Sequence, residues 1–481
     1  MTYEEAIDLC KNNPEVAANI IINIEKIILK NDELEQRVKE LEDNLGKNST
    51  NSSKPPSSDN KLTKKKNSKT EKSKNKRGAK KGHKGNFLKI SENPDRVNIL
   101  SYNHCTKCNS SLDNIEAFKV ERRQLFDLPK IKIDITEYQV HSKRCSNCNN
   151  INRPEFPNNI KAVTQYGDNL KSFVSYCSTY QMIPYERITQ MIYDIASHKI
   201  STGTINNFLK QQHQKLEKFE INIKELLQKQ DVLHSDETGA NIQGNIHWIH
   251  VASSQIATLY MIHKKRGKEA IEHMNILPHF KGVLVHDHFS SYNRYSCKHS
   301  YCNAHILREL NGITENEGVR WSQDLHSLLT TMNHEVHKTK NSGKSQISAI
   351  KTKNLIQNYH KITESAFKYY PPPDKQIKKR GRTKQQKGKN LLDRLVKYED
   401  ETLRFLVDFR VPFTNNLAER DLRMIKVKEK ISGCFASFNG GEMFCRIRSY
   451  ISTLKKNNIS VLQGLKDALE DKAYIPIGVG F

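Results

Sequence analysis

Three acidic residues lie in local sequences that suit metal binding. They are Asp236 in His234-Ser-Asp-Glu-Thr-Gly239, Asp287 in Gly282-Val-Leu-Val-His-Asp-His288, and Glu419 in Asn415-Asn-Leu-Ala-Glu-Arg420. Carboxylate oxygens are the ligands that hard ions such as Mg²⁺ prefer. Two such ions can activate an attacking oxygen and stabilise a leaving oxygen at a phosphodiester bond. The three acids are therefore candidates for metal-assisted chemistry on a nucleic acid.

The overall charge indicates the same class of partner. Lys and Arg total 78 against 53 Asp and Glu, which gives the 481-residue chain a formal net charge of +25. Each phosphate that a basic side chain neutralises releases counterions, so we expect a polyanionic partner. A membrane surface is less favoured, because no long apolar run, amphipathic basic anchor or lipidation motif is evident. No signal-peptide pattern is visible either, and we expect a cytoplasmic, nucleoid-associated protein.

Short strands are predicted around the two aspartates. The pattern of apolar and polar residues, with one helix over 268–274, indicates a strand that begins with 231–236 and ends at Gly239, and further strands over 246–252, 256–262 and 282–286. This order is typical of an α/β layer. Alternation along the first and last strands places Asp236 and Asp287 at strand ends. If these two strands are neighbours in the sheet, the two carboxylates converge.

Glu419 has three interpretations from its local sequence. Residues 413–425 predict the start of a helix, in which Asn416 and Glu419 could form a capping box. Glu419 could also pair with Arg423 one turn later. The third interpretation is a catalytic role beside the two aspartates, and spacing alone leaves all three open.

Two Cys-x-x-Cys pairs indicate a structural metal site. Of the ten cysteines in the chain, these pairs contain Cys105, Cys108, Cys145 and Cys148. Four thiolates suit tetrahedral Zn²⁺, and thiols without metal are the alternative. An alternating segment over 130–140 lies between the pairs and predicts a β-rich unit over 95–164. Asn109 and Asn149 follow the pairs and can adopt the left-handed backbone that glycine usually provides.

The N-terminal residues 14–46 predict a coiled coil. Their apolar positions repeat at alternating spacings of four and three, which is a heptad seam. The single polar position in the seam is Asn31, and a buried Asn there fixes the register and favours a parallel dimer. We therefore predict a dimerisation helix over 1–47, with an amphipathic helix packed on its own domain as the alternative.

A polar segment over 48–94 follows this helix. It is rich in Pro and Ser and then in Lys, and it cannot bury a core. We predict a disordered basic linker. It is either a solvated spacer or a flexible arm that holds DNA phosphates without reading sequence.

Residues 165–228 are predicted to be helical, with a helix-turn-helix at their centre. One helix covers 185–194, and a second covers 201–210 with Ser201 or Thr202 as its cap. Such a pair fits a DNA reader, and an ordinary helical hairpin is the alternative. The candidate DNA contacts on the second helix are Thr202, Thr204, Asn206 and Lys210.

Several longer motifs follow one another along the chain. They are Asn51-Ser-Ser-Lys-Pro-Pro-Ser-Ser-Asp59, Asp236-Glu-Thr-Gly239, His286-Asp-His288, Cys302-Asn-Ala-His-Ile-Leu-Arg-Glu-Leu310, Lys379-Arg-Gly-Arg382, Val411-Pro-Phe-Thr-Asn-Asn-Leu-Ala-Glu-Arg420, Lys430-Ile-Ser-Gly-Cys-Phe435 and Arg448-Ser-Tyr-Ile-Ser-Thr-Leu-Lys455. With these motifs the chain resembles transposases of the insertion-sequence sixty-six family over nearly its whole length. The resemblance implies an Asp-Asp-Glu triad of Asp236, Asp287 and Glu419.

The resemblance also implies an overall architecture. We expect a multidomain α/β protein with helical segments, in which a ribonuclease-H-like catalytic domain covers 229–455. A helical insertion at about 318–400 would interrupt that domain, and 456–481 would be a C-terminal tail. Arg380 and Arg382 in the insertion are further candidate DNA contacts.

The activity implied is that of a DNA transposase. Such an enzyme would cleave the ends of an insertion sequence and join the 3′ ends to target DNA with two Mg²⁺ or Mn²⁺ ions, while Zn²⁺ would be structural. Its expected partners are terminal inverted repeats, target DNA, a second copy of the chain and companion proteins encoded by the same element. The alternatives are a transposase-derived DNA-binding regulator and a metal-dependent structure-specific nuclease.

Four residues near the acids are not predicted to bind metal. His286 and His288 flank Asp287 and could ligate metal, orient a phosphate or pack. A single His beside a carboxylate more often supports a ligand than acts as one. Cys302 and His305 resemble a fragment of a zinc site. Because a single such pair is present, we interpret it as packing around the catalytic core.

Overall fold

The computed structural model describes residues 3–47, 51, 88–371 and 385–477. The chain starts with α1 (Tyr3–Asn12) and α2 (Pro14–Gly46). Pro14 suits the first turn of α2, where its missing N–H would have no partner in any case. Seam residues of α2 such as Leu34 and Val38 are about half exposed. The predicted helix is therefore present, while its pairing with a second copy stays a prediction.

Residues 88–165 contain little regular structure. Strands β1 (Lys143–Arg144) and β2 (Ile151–Asn152) form an antiparallel pair of two residues each. The strand expected over 130–140 is not formed, and Ile135 in this segment is exposed. Alternation alone does not make a strand, because its backbone groups also need a neighbouring strand to pair with.

A helical region precedes the central sheet. It comprises α3 (Asp168–Ser175), a π-helical turn (Tyr176–Tyr180), α4 (Tyr185–Ala196), α5 (Thr202–Lys215) and α6 (Glu217–Gln228). Ser197 ends α4 in the left-handed conformation, with φ of 51°. The Ser201 hydroxyl caps α5 by accepting the Thr204 N–H at 3.0 Å. Both predicted helices and the capping residue are confirmed.

The central sheet has five strands and is mixed. In chain order these are β3 (Val232–Ile242), β4 (Asn245–Ser253), β5 (Thr258–His263), β6 (Val283–His286) and β7 (Lys298–Tyr301), with α7 (Lys268–Met274) and a short 3₁₀ turn (Leu277–His279) before β6. Their order across the sheet is β5-β4-β3-β6-β7. The first three strands are antiparallel, whereas β6 runs parallel to β3, and β7 runs parallel to β6. The predicted neighbours β3 and β6 are thus paired.

One expectation about β3 is wrong. The strand does not end near Gly239 but continues to Ile242, so Asp236 lies within it. The reason is the hairpin with β4, whose turn residues Gln243 and Gly244 both have positive φ, as a two-residue hairpin turn requires. By contrast, β6 pairs with β3 over Val232–His234 alone. Asp236 therefore lies just beyond the parallel ladder.

Helices follow the sheet. They are α8 (Asn303–Glu317), α9 (Arg320–Asn341), α10 (Ala349–Ala366), α11 (Lys387–Lys397), α12 (Glu399–Val407), α13 (Asn416–Ser432), α14 (Phe438–Lys456) and α15 (Val461–Leu469). Helices α9 to α12 share an apolar cluster with α8 that includes Leu325, Leu329, Tyr359 and Leu391. The described residues at about 318–400 are therefore largely helical, while their assignment as an insertion into the catalytic domain stays a prediction. None of the helices in the described ranges is both long and apolar enough to span a membrane.

The expectation of a C-terminal tail over 456–481 is also wrong for the described part of that segment. Helix α15 packs against α3 and α5. Val461, Leu465 and Ala468 are buried in the same apolar cluster as the helices before the sheet. Their spacing of three and four places them on one helix face. This spacing is visible in the sequence and is typical of an amphipathic helix.

Replacement of Leu465 by Ala tests the role of α15. The Leu465 side chain is fully buried, whereas Leu462 on the same helix is 41% exposed. We expect Leu465→Ala to lower the free energy of unfolding by about 2–5 kcal/mol, because it removes buried methyl groups and leaves a cavity. Leu462→Ala is the matched control and should change it by less than about 0.5 kcal/mol. Equal urea midpoints for both variants would show that α15 is not part of the core.

Candidate active site

The structure brings Asp236, Asp287 and Glu419 to one place. Asp236 lies on β3, Asp287 directly follows β6, and Glu419 lies in the first turn of α13. Burial raises the pKa of Asp236 well above its usual value, and the negative charges of Glu237, Asp287 and Glu419 raise it further. Charges have such an effect only over short distances in a poorly hydrated setting.

Strand register places the two aspartates side by side. Val232 pairs with Val283 and His234 with Val285, an offset of 51 residues. Asp236 and Asp287 are separated by the same 51 residues. The close approach of β6 begins at Gly282, where a Cβ atom would clash with the Asp231 carbonyl. Extension of the ladder by two residues therefore leads to both carboxylates.

Asn415 fixes the start of α13 against the sheet. Its backbone N–H donates to Cys302 Sγ at 3.2 Å. Its side-chain Oδ1 lies 2.9 Å from His234 Nδ1, and its Nδ2 donates to the Ser235 carbonyl at 2.9 Å. Burial lowers the pKa of His234 to about 4, so the imidazole is neutral and can donate to Asn415. These bonds hold Glu419 near Asp236.

The capping-box interpretation of Glu419 is wrong. Asn415, not Asn416, occupies the cap position, and it forms no side-chain capping bond. Glu419 Oε1 instead lies 3.7 Å from Cys302 Sγ and 3.9 Å from His305 Nδ1. Sequence reasoning assigned Cys302 and His305 to packing. The Cys-x-x-His spacing is visible in the sequence, but no local pattern indicates contact with a glutamate more than a hundred residues later.

Glu237 is a further acid that sequence reasoning gave no role. Its side chain is buried, and it forms an ion pair with Arg266 at 2.8 Å. Tyr292 donates a hydrogen bond to its other oxygen at 2.5 Å. Arg266 lies between the rings of Trp248 and Phe289, 4.9 and 4.3 Å from their centroids. Burial nevertheless raises the pKa of Glu237, and the charge of Asp287 adds to this effect.

The histidines beside Asp287 make ring contacts with their surroundings. His286 Nε2 lies 3.0 Å from His299 Nδ1, and the His288 ring stacks on Tyr301 with centroids 4.0 Å apart. Burial lowers the pKa of each to about 3, so both are neutral. Such contacts fit their interpretation as supporting residues.

The two cysteine pairs have matching backbone geometry. Cys105 N–H donates to the Ser110 carbonyl and Cys145 N–H to the Asn150 carbonyl, both at 2.8 Å. Asn109 and Asn149 are left-handed as predicted, with φ of 58° and 61°.

The pKa values of two thiols in these pairs are lowered, although the four sulfurs are not gathered into a compact group. Hydrogen bonds from the Ser110 side chain and backbone lower the pKa of Cys108 to about 7. Hydrogen bonds from Cys148 and Asn147, in the same Cys-x-x-Cys segment (a cysteine knuckle), lower the pKa of Cys145. Among the described residues, the four sulfurs do not form a close group of three or more donors.

The predicted DNA contacts are only partly described. On α5, Thr202, Asn206 and Lys210 are exposed, whereas Thr204 is half-buried and its hydroxyl lies 2.9 Å from Ser201 Oγ. Arg380 and Arg382 lie outside the described residues, as does nearly all of the predicted linker over 48–94.

Comparison with known families covers much of the chain. A family model described as "Transposase IS66 family" matches residues 163–443, which include all three acids. A second model, described as "Family of unknown function (DUF6444)", matches residues 10–89. A search of curated proteins finds no match.

Asn415 and Asn416 provide a matched pair for testing the start of α13. Asn415 is buried and Asn416 is exposed. We expect Asn415→Ala to destabilise the fold by about 1–3 kcal/mol for each buried partner left unpaired. Asn416→Ala should change the free energy of unfolding by less than about 0.5 kcal/mol. Urea titration measures both, and equal effects would remove Asn415 from its positioning role.

The raised pKa of Asp236 predicts a pH dependence of stability. A carboxyl group with a raised pKa in the folded state binds its proton more tightly there than in the unfolded chain. Stability is therefore lost as pH rises from the usual value of 3.8 through the raised value. In chelator, we expect Asp236→Asn to melt at a higher temperature than the unmodified protein near pH ~8, with a smaller difference near pH ~5.

Asp231→Asn is the control for this pH series. Asp231 is exposed and lies five residues before Asp236. Its removal should leave the pH dependence of the melting temperature unchanged. Parallel curves for Asp236→Asn and the unmodified protein would contradict the charge repulsion inferred above.

Proposed function

The chain belongs to the transposase IS66 family, and from this premise we propose that it cleaves the ends of an insertion sequence and joins the 3′ ends to target DNA. The observation that carries the proposal is the convergence of Asp236 with Asp287, through the register of β3 and β6, and with Glu419, whose charge raises the pKa of Asp236. These residues come from three separate segments of the chain. Both chemical steps would use this one site, first with water and then with the 3′-hydroxyl as the attacking group.

The donor set fits Mg²⁺ or Mn²⁺. Asp236, Asp287 and Glu419 offer carboxylate oxygens, and burial together with the negative charges of neighbouring acids raises the pKa of Asp236. Two bound ions would activate the attacking oxygen and stabilise the leaving oxygen of the phosphodiester.

The surrounding residues would keep the carboxylates ready for this role. Asn415 positions the helix that carries Glu419, through its bonds to His234 and Ser235. Arg266 and Tyr292 hold Glu237 through an ion pair and a hydrogen bond. Glu237 is therefore turned toward those partners, and Asp236 is the residue of the pair that we assign to the ions.

We assign the sheet and its helices to a ribonuclease-H-like core over 229–455. The strand order β5-β4-β3-β6-β7, with three antiparallel strands followed by two parallel ones, supports this assignment. So does the location of two acids at the end of the parallel ladder. The helical insertion at about 318–400 has its own apolar cluster, which supports its treatment as a separate unit.

DNA recognition is assigned to the parts before the core. Helix α5 would present Thr202, Thr204, Asn206 and Lys210 to a groove of the element's end, with α4 as the first helix of the pair. Arg380 and Arg382 would add phosphate contacts from the insertion. The net charge of +25 supports such contacts.

Zinc and a second copy of the chain complete the proposed architecture. The matching knuckle backbones and the lowered pKa of Cys108 support a structural Zn²⁺ held by Cys105, Cys108, Cys145 and Cys148 within 95–164. The half-exposed seam of α2 supports parallel pairing of 1–47 from two protomers. The basic segment 48–94 would link these parts, and 165–228 would form the helical DNA-binding region.

Conservative replacement of each acid tests the catalytic assignment. We expect Asp236→Asn, Asp287→Asn and Glu419→Gln each to reduce end cleavage by at least about 100-fold, since even residues that only support a metal ligand contribute up to that amount. The assay uses DNA that carries the element's end, with Mg²⁺, and follows both cleavage and strand-transfer products.

Two exposed acids serve as controls for this assay. Asp231→Asn and Glu442→Gln remove the same charges at exposed positions near β3 and on α14, and they should retain activity. Activity retained in any of the three site variants would remove that acid from the triad. Cleavage without any joined product would favour a nuclease instead of a transposase.

A further inference from the structure

Cys302, His305 and Glu419 form a cluster of donor atoms that the proposed reaction does not explain. In the described residues, their sulfur, nitrogen and oxygen atoms all lie within 4.8 Å of one another. Carboxylates alone would suffice for Mg²⁺, which binds oxygen. A thiol and an imidazole suit a softer ion. We propose that these three residues form a second metal site, which takes a thiophilic divalent cation such as Zn²⁺.

The separations are slightly longer than those of tetrahedral coordination. With Zn–S near 2.3 Å and Zn–N or Zn–O near 2.0–2.1 Å, donor atoms in a tetrahedral site lie about 3.3–3.6 Å apart. Glu419 Oε1 lies 3.7 Å from Cys302 Sγ and 3.9 Å from His305 Nδ1. Small side-chain movements would bring all three donors to bonding distance. Three protein ligands would leave a fourth position open, as in many zinc sites that exchange a ligand.

Local structure holds the three side chains in place. Cys302 is fully buried between β7 and α8, and its backbone N–H donates to the His286 carbonyl at 2.9 Å. His305 follows in the first turn of α8, where its N–H donates to the Cys302 carbonyl at 3.1 Å. Asn415 attaches the start of α13 to Cys302 Sγ at 3.2 Å. The N-terminal ends of α8 and α13 therefore meet at Cys302 Sγ.

His305 has a free donor atom directed into this site. Its Nδ1 is buried and has no hydrogen-bond partner within the described part of the chain. A buried nitrogen without a partner is costly, and a metal ion would satisfy it. The nearest acid to this atom is Glu419. The nitrogen thus faces the same oxygen that would complete the site.

Occupancy of the second site has a consequence for the first, and this consequence rests on the proposed function. Glu419 belongs to both donor sets. A Zn²⁺ ion held by Cys302, His305 and Glu419 would withdraw that carboxylate from Asp236 and Asp287. Zinc bound here therefore inhibits cleavage, and Mg²⁺ and Zn²⁺ compete through one shared side chain.

Cobalt absorption tests the binding site directly. One equivalent of Zn²⁺ is first added to the full-length protein to fill the four-thiolate site at the cysteine pairs, which binds it more tightly than a site with one thiolate, and Co²⁺ is then titrated. We expect the visible bands of tetrahedral Co²⁺ together with thiolate-to-cobalt charge transfer. In Cys302→Ser and His305→Asn the apparent affinity should fall at least about tenfold, as expected when a ligand is lost. Absence of these bands in the unmodified protein would overturn the proposal.

Cys297 provides a matched control for the cobalt titration. It is a buried cysteine whose sulfur lies 4.0 Å from His299 Nε2, but no carboxylate of the described residues completes that pair. Cys297→Ser should leave the Co²⁺ spectrum unchanged. If circular dichroism shows that Cys302→Ser does not fold, the His305→Asn variant provides the test of the site. This variant keeps the thiol and the hydrogen bond that it accepts from Asn415. An unchanged spectrum in folded His305→Asn would also overturn the proposal.

A cleavage assay separates this inference from the proposed function. Each protein is assayed in Mg²⁺ with and without added Zn²⁺, and its rate is normalised to its own rate without zinc. We expect zinc to reduce the rate of the unmodified protein at least about tenfold and Cys302→Ser much less. Cobalt binding without any DNA cleavage would leave the site standing and reject the transposase mechanism. DNA cleavage without cobalt binding would reject the second metal site and leave the transposase mechanism standing.

Discussion

Mutual repulsion of carboxylates is the constraint on which the arrangement of this protein depends. Asp236 meets the charges of Glu237, Asp287 and Glu419 in a setting where burial already raises its pKa. Nothing in those four side chains favours their proximity, so the rest of the fold has to enforce it. The parallel pairing of β3 with β6 does so for the aspartates. The attachment of α13 does so for the glutamate.

Attachment of α13 combines polar and apolar contacts. Asn415 ties the helix start to His234, Ser235 and Cys302 through buried hydrogen bonds. Ala418 and Leu422 then pack against the sheet within a separate apolar cluster. Buried hydrogen bonds are directional, whereas apolar packing mainly supplies free energy. The first group of contacts therefore sets where Glu419 lies, and the second supplies stability against the repulsion.

Sequence reasoning predicted the local elements well because their signals are local. Helix α7 has the predicted bounds, Ser201 caps α5, and β6 is preceded by the glycine that permits its approach. The errors have physical causes. The hairpin turn at Gln243 extended β3, and the segment over 130–140 lacks a partner strand. Meetings between distant residues, such as Cys302 with Glu419, depend on packing that no local pattern encodes.

Sharing of Glu419 between two donor sets links the metals that they prefer. On one side of this carboxylate are oxygen donors, and on the other are the sulfur of Cys302 and the nitrogen of His305. Linkage requires that if a thiophilic ion lowers the affinity for Mg²⁺, then Mg²⁺ lowers the affinity for that ion by the same factor. In the proposed arrangement, high Mg²⁺ would therefore protect the carboxylate site from soft ions. Because Cys302 and His305 lie beside Glu419, the proposed activity would depend on the ratio of Mg²⁺ to the thiophilic ion.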